Sequence, residues 1–195
     1  MAMDEVVERA GGGTSNKWVG IYVGILAVLL AICNVGGANA TKDAMRAHIE
    51  AANTWSFYQA KNIRRNTTTI AADDLDLMQQ AMPAMPPELQ QKFKAKVADY
   101  RAEVQRLTTD PEKKEGMNEL MARGRMLEGE RDTAFRRDPY FDWSQAFLQI
   151  AIVLASVHLI VNNGWLLGLS GLLAGSGVLL MVNGFTLLVR LPFLA

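Results

Sequence analysis

Few residues in this chain have types and spacings suited to chemistry. The single cysteine, Cys33, lies in an apolar run, and one cysteine makes neither an internal disulfide nor a paired-cysteine metal site. The two histidines, His48 and His158, are far apart and lack cysteine partners, which makes a poor zinc set. His158 falls mid-span in a second apolar run, and an ionisable residue inside a membrane segment is a functional candidate by default. No Asp, Glu, Lys or Arg lies within Trp18–Ala38, Trp143–Val161 or Trp165–Val189, so a proton relay or ion pair would lack its second member. A neutral imidazole hydrogen-bonded to a neighbouring helix is the favoured role for this intramembrane polar site. Asp73, Asp74 and Asp76 could attract a cation, but acids crowded near a helix end are ordinarily just solvated. No glycine-rich phosphate loop follows a strand, and no nucleophile, base and acid stand in a recognisable order. The sequence therefore predicts no catalytic residues, no metal, no cofactor and no enzyme.

The cluster worth following is Trp55, Tyr58, Gln59 and Asn62. Spacings of three, four and seven place these side chains on one helical face. If their helix left a bilayer upright, Trp55 would stand about 25 Å beyond the span's end, too far for an interfacial aromatic belt. Three roles stay open: packing against a returning helix, a contact surface for another copy or a partner, or a lipid-facing amphipathic surface. Aromatic anchors with polar tips favour the second as a function. Glycines form the other pattern: Gly20 and Gly24, then Gly164, Gly168, Gly171 and Gly175, at spacings that let helix backbones approach closely. Packing within the chain and packing between copies explain them equally well.

Three apolar runs must carry these residues. The first, Trp18 to Ala38, has no charged residue, and about twenty residues at about 1.5 Å rise cross a hydrocarbon core of roughly 30 Å. A secretory signal cut near Ala38-Asn39-Ala40 is the rival, but such signals have shorter apolar cores. The second, over 139–162, follows Asp138-Pro139, which reads as an N-cap and first helical position. Asn162-Asn163-Gly164 reads as a tight turn into the third, 165–189. The stretch 1–17, with Gly11-Gly12-Gly13-Thr14-Ser15, reads as a flexible tail.

Of 20 Lys/Arg and 20 Asp/Glu, all but three of each fall between residues 41 and 142. That segment is neutral overall, which argues against nucleic acid as a partner, since phosphate binding needs a basic excess. Positive charges near the span ends number eight on one side (Lys42, Arg46, Arg123, Arg125, Arg131, Arg136, Arg137, Arg190) and two on the other (Arg9, Lys17). This favours a cytoplasmic 41–142 and an outside N-terminus.

The region 41–138 reads as helices at about 41–81, 87–108 and 111–137. The proline cluster Met82-Pro83-Ala84-Met85-Pro86-Pro87 is its first definite breaker. Leu89, Phe93, Val97, Tyr100, Val104 and Leu107 form a near-heptad seam, and Met117, Leu120, Gly124 and Leu127 form another. The expected fold is an all-α integral membrane protein with three transmembrane helices and a long extramembrane helical hairpin or coiled coil.

Three segments carry a resemblance: Asn53 to Arg64, with its Trp55-Ser56-Phe57-Tyr58-Gln59-Ala60-Lys61 core; Gly116 to Arg123; and Phe147 to Ser156. From Lys17 onward the chain resembles a bacterial membrane family catalogued as domain of unknown function 4337. A histidine-rich N-terminal tail would be expected from that resemblance and is not present. The resemblance implies a bacterial inner-membrane architecture and no activity. The function expected is a non-catalytic membrane scaffold or assembly protein, a homo-oligomer in contact with lipid that self-associates through its helical region and spans. The alternative is a subunit of an ion channel or transporter.

Overall fold

The structure, a computed structural model, describes residues 2–191, with side chains from Lys17 onward. The tail expected over 1–17 therefore lies almost wholly outside the described side chains. The described residues form four helices: α1 (Ala2–Ala81), α2 (Pro87–Thr108), α3 (Met117–Val161) and α4 (Gly164–Thr186). No strand occurs among the described residues, so the protein is all-helical. Helices α1, α3 and α4 are long and apolar enough to cross a membrane. In their most apolar windows only 22, 28 and 22% of residues are buried, so most of that aliphatic surface points outward. An aqueous protein rarely leaves so much contiguous apolar surface uncovered.

The first apolar run and the charged helix after it are one element, the upright continuation allowed for in the sequence, because α1 passes through Gly36-Gly37 without a break. A helix-interior glycine costs roughly 1 kcal/mol relative to alanine. Here the missing side chains make room for Phe141: a Cβ on Gly36 would sit 2.6 Å from its ring and one on Gly37 3.2 Å from its Cβ. Contrary to the sequence expectation, Asp138-Pro139 does not open a helix, and the expected 111–137 element does not stand apart. Helix α3 starts at Met117 and carries Pro139 in its interior. An interior proline costs about 3 kcal/mol or more through its lost hydrogen bond. The residues just after it, Tyr140 and Phe141, are buried to 3% exposure and hold the helix through that point by tertiary packing.

The chain forms two compact units, Met1–Ala44 with Asp132–Ala195, and Met45–Arg131. In the first, the core comprises Leu26, Cys33 and Ala40 of α1, Phe141, Leu148 and Ala151 of α3, and Ala174 and Met181 of α4. Serines join its helices. Ser144 Oγ donates to the Gly177 carbonyl at 2.7 Å, and Ser170 Oγ donates to the Ala151 carbonyl at 2.7 Å. With its one proton so used, Ser170 accepts from the Tyr22 hydroxyl, 3.1 Å away. Such side-chain bonds can join helices that have little hydrophobic drive to associate in an apolar medium. The chain after α4 is held by Asn183, whose side chain bonds both the Val189 amide (2.9 Å) and its carbonyl (2.7 Å). Leu187 turns the backbone at a φ of 51°.

The second unit packs residues 45–81 of α1 with α2 and the start of α3. Its buried side chains are small on α1 (Ala47, Ala51, Thr54, Ala72) and larger opposite (Val97, Leu107, Met117, Leu120, Leu127). Small against large lets helices approach and interdigitate. The buried positions of α1 recur every seventh residue at Val19, Leu26, Cys33, Ala40, Ala47 and Thr54. A seven-residue repeat is the period of left-handed helix winding.

Candidate interaction face

Trp55 lies on α1 with its six-membered ring against α3 at Gly124. A Cβ on that glycine would come within 2.9 Å of the indole Cε2. Glycine's absent side chain is therefore what seats the ring. One turn further along α3, Glu128 accepts a hydrogen bond from Trp55 Nε1 at 2.9 Å. Tyr58 stands edge-on to the indole with centroids 5.6 Å apart and planes at 77°. Edge-to-face pairs gain from the opposed ring quadrupole.

Beside this lies an open cleft of about 340 Å³ lined by Phe57, Lys61, Arg64, Glu103, Arg106 and Glu115, among others. Three of its cations, Lys61, Arg64 and Arg106, are engaged. Lys61 donates to the Glu115 carbonyl, lies 3.9 Å from the Glu115 carboxylate, and sits 5.0 Å from the centroid of the Phe57 ring. Glu103 takes Arg106 on one oxygen, at 2.7 Å from Nη2, and Arg64 on the other, at 3.2 Å. Arg101 and Asp76 pair at 2.9 Å nearby. Exposed ion pairs contribute little stability singly, but Glu103 ties α2 to α1 by geometry. The hydroxyls of Thr67, Thr68 and Thr69 donate to carbonyls four residues back, so none is set against a base. Among the described residues, no three His, Cys, Asp or Glu side chains converge as a metal site.

The structure thus divides the four residues singled out from sequence. Trp55 and Tyr58 are half-buried, Asn62 is half-buried, and Gln59 is exposed. The Trp55 side chain is engaged with α3 of its own chain. Gly124 was visible in sequence as one small residue in a stripe of larger ones. Glu128 had no such signal, since nothing in its neighbours distinguishes it from the other charged residues of α3.

His158 is in the last turn of α3 instead of mid-span. Its Nδ1 lies 2.9 Å from the Asn163 carbonyl, which only accepts, so Nδ1 carries the proton. The buried ring, 7% exposed, closes the turn into α4 in place of bonding across to another helix's side chains. His48 is exposed on α1. Gly20, Gly24, Gly164, Gly168, Gly171 and Gly175 all face open space: a Cβ on any of them meets nothing within 4 Å. The glycines that permit contacts inside the chain are others. Gly36 and Gly184 border the Phe141 ring, and Gly177 borders Leu148.

An all-helical chain with three helices long and apolar enough to span a bilayer defines the class. The family model called domain of unknown function (DUF4337) matches residues 15–187, and the chain belongs to that family. No curated protein and no solved structure matches it.

Proposed function

We propose that this protein is a non-catalytic, multi-pass scaffold of the bacterial inner membrane, with residues 41–142 in the cytoplasm and the N-terminus outside. It self-associates and holds its charged helices as a platform beside the bilayer. The observation that carries this reading is the use made of the polar side chains. Arg64–Glu103 and Arg101–Asp76 brace α1 against α2, and Trp55–Glu128 braces α1 against α3. Lys61 holds Glu115 of the connection between α2 and α3, and Arg106 pairs with Glu103 within α2. Lys61, Arg64 and Arg106 line the open cleft, but each is tied to a carboxylate there. Outward aliphatic side chains on the three long helices, Ile25, Val28, Val153, Ile160, Leu172 and Leu179 among them, suit lipid contact.

The test is native mass spectrometry of the full chain from lipid nanodiscs, together with current recording in planar bilayers. A scaffold gives a defined multi-copy species and no conductance. Monomers alone, or a reproducible single-channel current, would refute the proposal, the latter in favour of a channel or transport subunit.

A further inference from the structure

The face of α1 turned away from α2 and α3 carries a second repeat that intrachain packing leaves uncovered. Ile49, Ser56, Ile63 and Ile70 fall at intervals of seven, and the three isoleucines are 51, 68 and 61% exposed. Ala52, Gln59 and Asn66 follow three residues after each of the first three members, completing a two-position heptad. A flat membrane surface would select a stripe of period about 3.6, whereas a strict seven-residue interval suits a second helix wound around the first. Counted back in steps of seven, the same frame meets Val35, Val28 and Ile21, all at least 54% exposed, with Lys42 the exception between. Aliphatic exposure in the apolar segment has lipid as its explanation; over Ile49 to Ile70, among charged helices, it has none.

Two further features of this stretch suit burial more than solvation. The stripe and its flanks, Asn53, Trp55, Ala60, Asn62, Thr67 and Thr69, hold no charge between Ile49 and Ile70. In a parallel, in-register pair the core residues meet their own copies and each flank meets the opposite flank of the partner, so uncharged flanks leave no like-charge contact along the seam. The hydroxyls are also already satisfied. Ser56 donates to the Ala52 carbonyl at 2.9 Å, and Thr67 and Thr69 donate to the carbonyls of Ile63 and Arg65 at 3.0 and 2.9 Å. Burying them strands no donor. Beyond Ile70 the frame meets Asp73 and Asp74, both exposed, and there copies in register would be driven apart.

We infer that Ile49, Ser56, Ile63 and Ile70 form the core layers of a parallel, in-register coiled coil with the same helix of a second copy. The parallel sense rests on the membrane-scaffold proposal, since copies in one bilayer share an orientation. β-Branched residues at one core position favour few-stranded parallel assemblies, and Gln59 and Asn66 at the other set the register at some cost in stability.

The test uses the full chain with Cys33→Ala, carrying one cysteine at a time at Ile49, Ile63, Ile70, Leu77 or, as a background position in α2, Gln91. Oxidation is carried out in native membranes. Cysteines on facing core positions come within the Cα separation of about 7 Å that a disulfide needs. The expected result is efficient dimer formation through positions 49, 63 and 70, little through Leu77→Cys, and background only through Gln91→Cys. Adding Asp73→Asn and Asp74→Asn should raise the yield at Leu77→Cys. Equal yields at seam and background positions, with a multi-copy species still seen by native mass spectrometry, would overturn this seam and leave the scaffold standing. Monomers alone would sink both.

Discussion

Trp55 and Glu128, 73 residues apart in sequence, are joined by a 2.9 Å hydrogen bond from the indole nitrogen to a carboxylate oxygen. The bond is charge-assisted and half-buried, so it should be measurable. In a double-mutant cycle, Trp55→Phe and Glu128→Ala should show a coupling of about 1–2 kcal/mol in chemical unfolding of the extramembrane helices. A coupling near zero would mean that the two side chains stabilise independently.

Two glycines of α3 should respond to alanine in opposite directions. At Gly124 the new Cβ collides with the Trp55 ring, and Gly124→Ala should destabilise by about 1–3 kcal/mol. At Gly129 a Cβ meets nothing within 4 Å, and Gly129→Ala should stabilise by up to about 1 kcal/mol through helix propensity. Melting followed by circular dichroism in mild detergent distinguishes them, and equal shifts would contradict the seating of Trp55.

The Phe141 ring rests between Gly36 and Gly184 and packs edge-on to Phe185 at 4.9 Å between centroids. Gly36→Ala should lower the midpoint of thermal aggregation by several degrees, on the order of 1–3 kcal/mol of overpacking. Adding Phe141→Leu should restore part of the loss. Gly20→Ala and Gly24→Ala, which face open space in a single chain, should not lower the monomer's midpoint.

His158 should be observed by nitrogen NMR as the Nδ1–H tautomer, because its partner at Asn163 is a carbonyl. His158→Phe should loosen the turn between α3 and α4, seen as faster amide exchange at residues 162–166, without altering membrane insertion. Observation of the Nε2–H tautomer would remove this bond from the account.

Full-length protein should resist extraction by alkaline carbonate. A cysteine placed at Thr109 in a Cys33→Ala background should stay unlabelled by impermeant maleimide in intact cells and react after permeabilisation. Labelling in intact cells would reverse the proposed orientation, which rests on the positive charges flanking the apolar runs.

Much of the chain's organisation is legible one segment at a time. Uncharged runs of about twenty residues announce membrane-length helices whatever they pack against, because length and transfer free energy are local properties. The prolines at 83, 86 and 87 part α1 from α2, and Asn162-Asn163 turns α3 into α4, because backbone restrictions act within a few residues. Heptad spacing likewise says which side chains share a face.

Spacing does not say which element that face meets, and there the tertiary structure decided. Asp138-Pro139 reads locally as a helix start, yet Pro139 lies within α3 beside the buried Phe141, whose ring the Gly36-Gly37 pair of α1 receives. The glycines in conspicuous four-residue patterns face outward, while Gly177 and Gly184, inconspicuous in the sequence, and Gly124, visible there only as a gap in a stripe, receive large side chains. Trp55 was a candidate for an outer surface, and Gly124 and Glu128 claim it for α3. Each of these outcomes depends on rotation about a helix axis and on partners dozens of residues away. Local propensities of about 1 kcal/mol are smaller than the packing energy that such a choice commits.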